Sequence, residues 1–393
     1  MGRRGQGPAD PAGSGQRDPA RKEEPMNAAQ TLAAPAAPAP GSPTASSAKK
    51  RGAFQASRLV APGTLALILI VFSVLSPVFF SAGNLVGILG QVALLALVAI
   101  GLTLVVRAGG IDLSIGVALD LGALASAWLI HDGYRAWVAV AGGLLFALAV
   151  GLVNALLIVV LRIPAFLATL SVWFVGTSVQ QLLTSGGAPI YLSAPLVPDG
   201  FAVIGRGYFL DVDAAVINAA SIAVAVALLL GITRYGRKLT MAGEQPSAAK
   251  ISGLRINALI TSAYLLCAVI AGFAGVVLAA RSNGYVPGSG QAYLMDAIGA
   301  VFIGATISRY GRVSVGGTLI GVVIFGLLDN GLNLIGLSFF WQDLARGLVL
   351  LAILLAAVVL GRSKGQPATG IFALLRTAQR QAQSTTVKGS TRQ

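Results

Sequence analysis

Asp112, Asp120, Asp329, Asn330 and Asn333 stand out among the polar side chains inside long apolar stretches. A charge at mid-bilayer costs about 2.5–3.5 kcal/mol, so such groups face a bundle interior or a wet cavity, which makes these five the candidate translocation-path residues. If residues 111–130 are helical, Asp112, Gly116 and Asp120 share one face at i, i+4 and i+8. Asp112 with Ser114 also reads as a helix cap, whereas Asp120 lies nine residues into the stretch and has no such local role. Asp329 and Asn333 are again i and i+4, and with Asn330 they form a polar stripe. Such a stripe either bonds helix to helix or lines a solute path. Asp343 and Arg346, at i and i+3, are placed to neutralise each other, and Asp296 lies near the outer end of its stretch, within reach of water.

Enzymatic chemistry finds little to work with. There is no G-x-x-x-x-G-K-[ST], so the chain cannot itself cradle a nucleotide in a P-loop, and H-E-x-x-H and G-x-S-x-G are also missing. One cysteine makes no intrachain disulfide, and one cysteine with one histidine makes no metal site. Cys267 therefore reads as a buried apolar residue and His131 as a solvated loop residue. The expected protein is not an enzyme and needs no cofactor.

The composition points the same way. Of 393 residues, 55% are hydrophobic and only 11% charged, and the mean hydropathy is +0.80. A soluble domain of this size could not cover its surface with so few charges. That excludes a cytosolic enzyme, a nucleic-acid-binding protein and a disordered scaffold. The pI near 10.5 suggests nucleic acid at first sight. However, nine of the 28 Lys and Arg lie in residues 1–58 and six in residues 362–393, so the basicity belongs to tails and short loops rather than to a folded basic face.

The elements that must position the polar residues are spanning helices of about 20 residues. About ten stretches qualify: 59–80, 85–106, 111–130, 136–161, 164–184, 213–233, 257–280, 292–308, 314–335 and 342–361. The fold class is all-α, a polytopic transmembrane helical bundle. Stretches 85–106, 111–130 and 292–308 carry polar or glycine interruptions and are candidates for broken or re-entrant helices. Residues 1–58, rich in Pro, Ala, Gly, Ser and charge, form a disordered tail without a signal-peptide apolar region, and Met26 opens a second start. Residues 362–393 form a basic tail. With the N-terminus inside, 24 of the 28 positive charges fall on the inner side, which supports an even number of spans with both termini cytoplasmic. The longest outer segment, about 185–212, is expected to be ordered against the outer mouth. Gly143, Ala147 and Gly151, and Gly317 and Gly321, lie at four-residue spacing and read as helix-packing seams.

The largest inner loop is 234–256, RYGRKLTMAGEQPSAAKISGLRI. It offers a short helix from Ser247 to Ser252, capped by Ser247 or a neighbour and stopped by Gly253, which suits the left-handed position after a helix. Taken alone it reads as a solvated basic loop.

At this loop the chain resembles the permease subunits of ABC importers for ribose and other simple sugars. The resemblance runs from about residue 74 to 361 through LSPVFFSAGNL (75–85), GGIDLSIG (109–116), IPAFLATL (163–170), GEQPSAAKISGLRI (243–256), LMDAIGAVFIGAT (294–306), VGGTLIGVVIFGLLDNGLNLIGL (315–337) and WQDLARGLVLL (341–351). It implies an inner-membrane protein that pairs with a second permease copy or a paralogue, cytoplasmic ABC ATPase subunits and an extracytoplasmic sugar-binding protein, with 59–361 as the permease domain. Ala248, Ala249 and Gly253 match the small residues of the family's coupling helix, and Lys250 a basic position there. Asp112 matches the acidic residue of the family motif, and Asn330, Gly331, Asn333 and Leu334 match its NGLNL run. Ahead of Ala-Ala the family has Asn and acidic residues; this chain has Gln245, Pro246 and Ser247, with an acid only at Glu244, and Glu244 and Ser247 join Ala248, Ala249, Lys250 and Gly253 as the ATPase-coupling residues that the resemblance implies. At 120 the family carries a small apolar residue, so Asp120 becomes a candidate for solute or partner specificity. Two rivals remain: an autonomous proton-coupled carrier using Asp120 or Asp329, and a membrane anchor without transport.

Overall fold

The computed structural model describes residues 59–308 and 311–362. The expected N-terminal tail, Arg309 and the C-terminal tail beyond Arg362 lie outside the described residues. Among those described, seven of the ten expected stretches coincide with helices long and apolar enough to cross a bilayer. These are α2 (Ala82–Arg107), α4 (Ala136–Ala155, continued by a π turn Leu156–Val160), α5 (Ala165–Leu183), α7 (Ala214–Gly231), α10 (Ile256–Ser282), α11 (Ser289–Ile307) and α12 (Val315–Leu334). Two more stretches fall on shorter apolar helices, α1 (Val60–Leu75) and α3 (Ile115–His131), and the last on α13 (Phe339–Arg362). The remaining helices, α6 (Asp199–Arg206), α8 (Arg234–Glu244) and α9 (Pro246–Ile251), are short.

Of the three stretches with interruptions, two are unbroken. Helix α2 runs 26 residues without a break and α11 runs 19. Their glycines and polar residues are absorbed by neighbouring helices, so nothing interrupts the backbone ladder. The third is broken at its start. Gly109 takes a left-handed turn (φ 84°), and α3 begins only at Ile115. Asp112 therefore precedes the helix and does not share a helical face with Gly116 and Asp120. Its carboxylate accepts the Ser114 amide at 2.8 Å and the Ser114 hydroxyl at 2.7 Å, which closes a turn ahead of the helix. Ser114 is the cap residue, but its side chain bonds no amide of α3.

Helix α3 packs against α4 and α10 at the centre of the bundle, through small residues. A Cβ added at Gly122 of α3 would lie 2.6 Å from the Gly272 carbonyl of α10, and one at Gly143 of α4 would lie 2.7 Å from the Gly122 carbonyl. The seam of Gly143, Ala147 and Gly151 is thus a packing seam, with Gly151 set against Ala268. The second seam joins α12 to α11, where Gly317 meets Gly304 and Gly321 meets Ala300. Lipid offers no hydrophobic drive between helices, so this close backbone approach supplies the packing.

The segment between α5 and α7 is ordered. Strand β1 (Ile190–Tyr191) pairs antiparallel with β4 (Gly284–Tyr285), which lies between α10 and α11. Helix α6 lies on α10 with Phe201 buried. Strands β2 (Tyr208–Phe209) and β3 (Val212–Asp213) form a small hairpin leading to α7, whose first turn is capped by Asp213 (Ala215 N to Oδ1, 2.8 Å).

Candidate functional site

Three polar constellations stand out. The first is at the end of the bundle where α2 terminates and α8 and α9 lie. Helix α8 exposes Arg234, Arg237 and Lys238 and buries Gly236, Leu239 and Ala242 at a helical repeat. Its N-terminus is capped by Thr233, which accepts the Gly236 amide at 3.2 Å. Tyr235 ties it to α10 through Ser262 at 2.8 Å; burial pushes the Tyr235 phenol up and that hydrogen bond opposes the rise. Helix α9 follows at once. Ser247 does not cap it: the cap position is Gln245, without a side-chain bond, and Pro246 starts the helix because a first-turn residue needs no amide hydrogen. The helix ends as expected. The Gly253 amide bonds the Lys250 carbonyl at 3.1 Å, the Leu254 amide bonds the Ala249 carbonyl at 3.1 Å, and Gly253 has φ 72°. This is the Schellman arrangement, which satisfies the last carbonyls.

Of the expected coupling residues, Ala249 is buried and Ala248 half-buried, while Ser247, Lys250 and Gly253 are exposed. Ile251, which the sequence did not single out, is 89% exposed at the tip of this basic element. Glu244 has a partner within the chain: its carboxylate meets the Arg312 guanidinium at 2.6 Å and 2.8 Å. Beside that pair, Arg107 at the end of α2 donates to the Thr240 hydroxyl at 2.7 Å and to the Val313 carbonyl.

The second constellation joins α12 to α13. Arg346 donates to both oxygens of Asp329, at 2.7 Å and 2.8 Å, and Asn333 accepts from Gln342 at 3.1 Å. Positions 329 and 333 thus meet 346 and 342, two i,i+4 pairs facing each other on antiparallel helices. Asp343 does bond Arg346, at 2.9 Å, but it shares that guanidinium with Asp329 and, at 3.8 Å, with Asp296. Asp296 is consequently half-buried against a cation and not simply solvated. Asn330 turns the other way and exchanges two hydrogen bonds with Asn84 of α2, at 2.9 Å and 2.8 Å. Sequence reasoning assigned no role to Asn84 or Gln342. The matching i,i+4 spacing of Gln342 and Arg346 was the available signal.

The third constellation is central. Asn154 of α4 donates to the Ser114 hydroxyl at 2.7 Å, which in turn donates to Asp112. The Cys267 thiol lies 3.8 Å from the other Asp112 oxygen, and Tyr264 donates to the Ile111 carbonyl at 3.0 Å. Cys267 is fully buried, as expected. Asp120, 3% exposed, accepts the Gly290 amide of α11 at 2.7 Å. It therefore caps a neighbouring helix, whose own cap residue, Gly288, has no side chain to bond. Nearby, Tyr285 donates to Gln180 at 3.0 Å. Asp112 and Asp120 are thus held by separate partners, and neither Asn154 nor Gln180 carried a sequence signal beyond being polar in an apolar run. A cleft of about 570 Å³ between α3, α4 and α5 is lined by Val117, Leu121, Val150, Val172, other apolar residues and Ser171.

Residues 84–358 match the family model described as "branched-chain amino acid transport system / permease component". Among curated relatives, the ribose import permease protein of Bacillus subtilis (strain 168) is 36% identical over 300 residues, which is 76% of this chain and 91% of that protein. The ribose import permease protein of Escherichia coli (strain K12) is 35% identical over 291 residues, covering 74% and 90%. The L-arabinose ABC transporter permease protein of Azospirillum brasilense is 29% identical over 296 residues, covering 74% and 86%. No solved structure matches.

Proposed function

Because the chain belongs to the branched-chain amino acid transport system / permease component family, we infer that it is the membrane-spanning permease subunit of an ABC importer for a simple sugar of the ribose type. It is an integral inner-membrane protein and not an enzyme, and it works with an ATPase and a sugar-binding protein. The observation that carries this reading is the match to ribose import permeases along nearly their whole length. The proton-coupled carrier is not favoured.

The finer reading is this. The chain crosses the bilayer ten times, and the bias of Lys and Arg toward one side supports cytoplasmic termini. The solute path forms between this chain and a second copy or a paralogue. Helix α9 is the coupling element. Ser247, Lys250, Ile251 and Gly253 meet the ATPase, and Ala248 and Ala249 let α9 sit close to the bundle. An exposed isoleucine beside a lysine suits a groove with an apolar floor and an acidic rim. ATP-driven closure of the ATPase moves α9, and the bundle rocks between outward- and inward-open states. Asp329 and Asn333 take the solute-facing role, since Asn333 is exposed and Asp329 half-buried. Asp112, Asp120 and Asn330 border the path and hold its backbone in place.

The test is uptake into proteoliposomes from a panel of labelled pentoses and hexoses. Uptake that needs ATP, the ATPase and the binding protein is the expected result. Uptake driven by a pH gradient alone would overturn the reading.

A further inference from the structure

Glu244 stands two residues before α9, next to residues expected to face the ATPase, yet its carboxylate points back into the chain. Its partner Arg312 lies between α11 and α12, in the connection of residues 308–314. Among the described residues this is the only ion pair at this end of the bundle. Arg107 reinforces it from a third element, with its Nε on Thr240 of α8 and one terminal nitrogen on the Val313 carbonyl. The backbone follows the same route. Gly243 sits so close to the end of α2 that an added Cβ would lie 2.9 Å from the Ala108 carbonyl carbon and the Gly109 amide nitrogen. The end of α2, the end of α8 and the α11–α12 connection are therefore tied at one point, immediately before α9.

What hangs on that connection reaches across the bundle. Helices α11 and α12 are packed backbone to backbone at Gly304 and Gly317 and at Ala300 and Gly321. The far end of α11 is gripped by Asp120 at Gly290, and the strand just before it, β4, pairs with β1. A displacement of α9 carried through Arg312 into α12 would thus reach α11 through these close contacts, and the other end of α11 borders the β1–β4 pair. Glu244–Arg312 is the side-chain link from the residues just before α9 to the segment ahead of α12, beside the Arg107 bridge from Thr240 to Val313.

We propose that Glu244 and Arg312 form a brace that makes the α11–α12 hairpin move with the coupling helix, so that Arg312 is a positioning residue for transport and Glu244 acts within the chain, not on the ATPase. The proposal rests on the permease reading above. An exposed ion pair adds little to folding stability, and the brace acts by transmitting motion. Spatial continuity alone does not establish coupling, so the test is a double-mutant cycle.

The experiment uses the full chain reconstituted with its ATPase and binding protein, and reads both ATP hydrolysis and sugar uptake. Glu244→Arg and Arg312→Glu each lower uptake about fivefold while hydrolysis continues, so more ATP is spent per sugar; the double reversal returns the ratio to within about twofold of the parent. Single reversals that leave the ratio unchanged overturn the brace. So does a double reversal no better than the singles, which would put Glu244 against the ATPase. A second variant guards against misfolding. With Glu244→Cys and Arg312→Cys joined by a short reducible thiol cross-linker, the two loops are locked together. A brace that moves as one body keeps transporting in that state, whereas arrest that a reductant relieves refutes it. The parent complex runs beside every variant. If it takes up no sugar with ATP, the permease reading itself fails; if it does and the variants behave as the parent, only the brace fails.

Discussion

The most apolar 18 consecutive residues of α2 and of α4 with its π turn are almost equally apolar, with mean hydropathies of 2.5 and 2.7, yet 72% of the first set are buried within the chain and only 33% of the second. In water such a difference would show in the pattern of apolar residues. In lipid it does not, because the surrounding tails are as apolar as any core. What separates centre from rim is small residues and paired polar groups. Helix α2 carries Asn84, bonded to Asn330, and Thr103, bonded to Thr318 at 2.9 Å. The face of α4 turned from the bundle centre exposes Leu145, Phe146, Leu152 and Val153. Location in this bundle is decided by what a helix can bond or approach closely.

That contrast can be broken by substitution. Arg346→Leu should be the most damaging, since it strips three carboxylates of their shared cation. A loss of about 3 kcal/mol is expected, at the low end for buried pairs because Arg346 is partly exposed. A thermal melt of the solubilised complex checks it, and an unchanged midpoint would mean that the α12–α13 ladder contributes nothing. Gly122→Val should cost about 1–3 kcal/mol, because the new side chain meets the Gly272 backbone of α10. If the variant assembles normally, the central seam is looser than the geometry implies.

Asp120→Ala leaves the Gly290 amide unpaired in a buried site, for about 1–2 kcal/mol. Asp120→Asn keeps the acceptor and should recover most of that. A changed sugar preference with an unaltered melting point would instead return Asp120 to the solute path. Gly253→Val forces a β-branched residue to φ 72°, a strain of about 1–2 kcal/mol confined to the end of α9, since no atom lies within 4 Å of an added Cβ. Its signature is ATP hydrolysis retained with uptake lost, and normal uptake would count against α9 as the coupling element. Leu145→Ala, on the rim and 63% exposed, should change stability by less than about 0.5 kcal/mol. A large effect there would mean that the α4 face is covered by another protein rather than by lipid.

Much of the helix layout was legible because a spanning helix needs a length of apolar sequence and little else. The end of α9 was legible too, since Gly253 is suited to a left-handed position by its missing Cβ. The start of α9 was not, because Pro246 needs no cap while Ser247 advertises one. Asp112 misled in the same way. Its spacing from Asp120 fits a helical face, but the Ser114 amide and hydroxyl claim the carboxylate first and hold the chain out of the helix.

Residue types and their order determined that this chain lives in a bilayer, roughly where its helices run, and which polar groups must find partners there. Which partner each group found was decided by the tertiary structure. Asp120 caps a helix 170 residues away along the chain, Asn330 pairs with a residue 246 away, and Glu244, at the surface, meets Arg312, 68 away. A carboxylate or amide in an apolar environment must be paired, but its own sequence neighbourhood does not say with what. Only the packing of distant helices brings the complementary group within 3 Å.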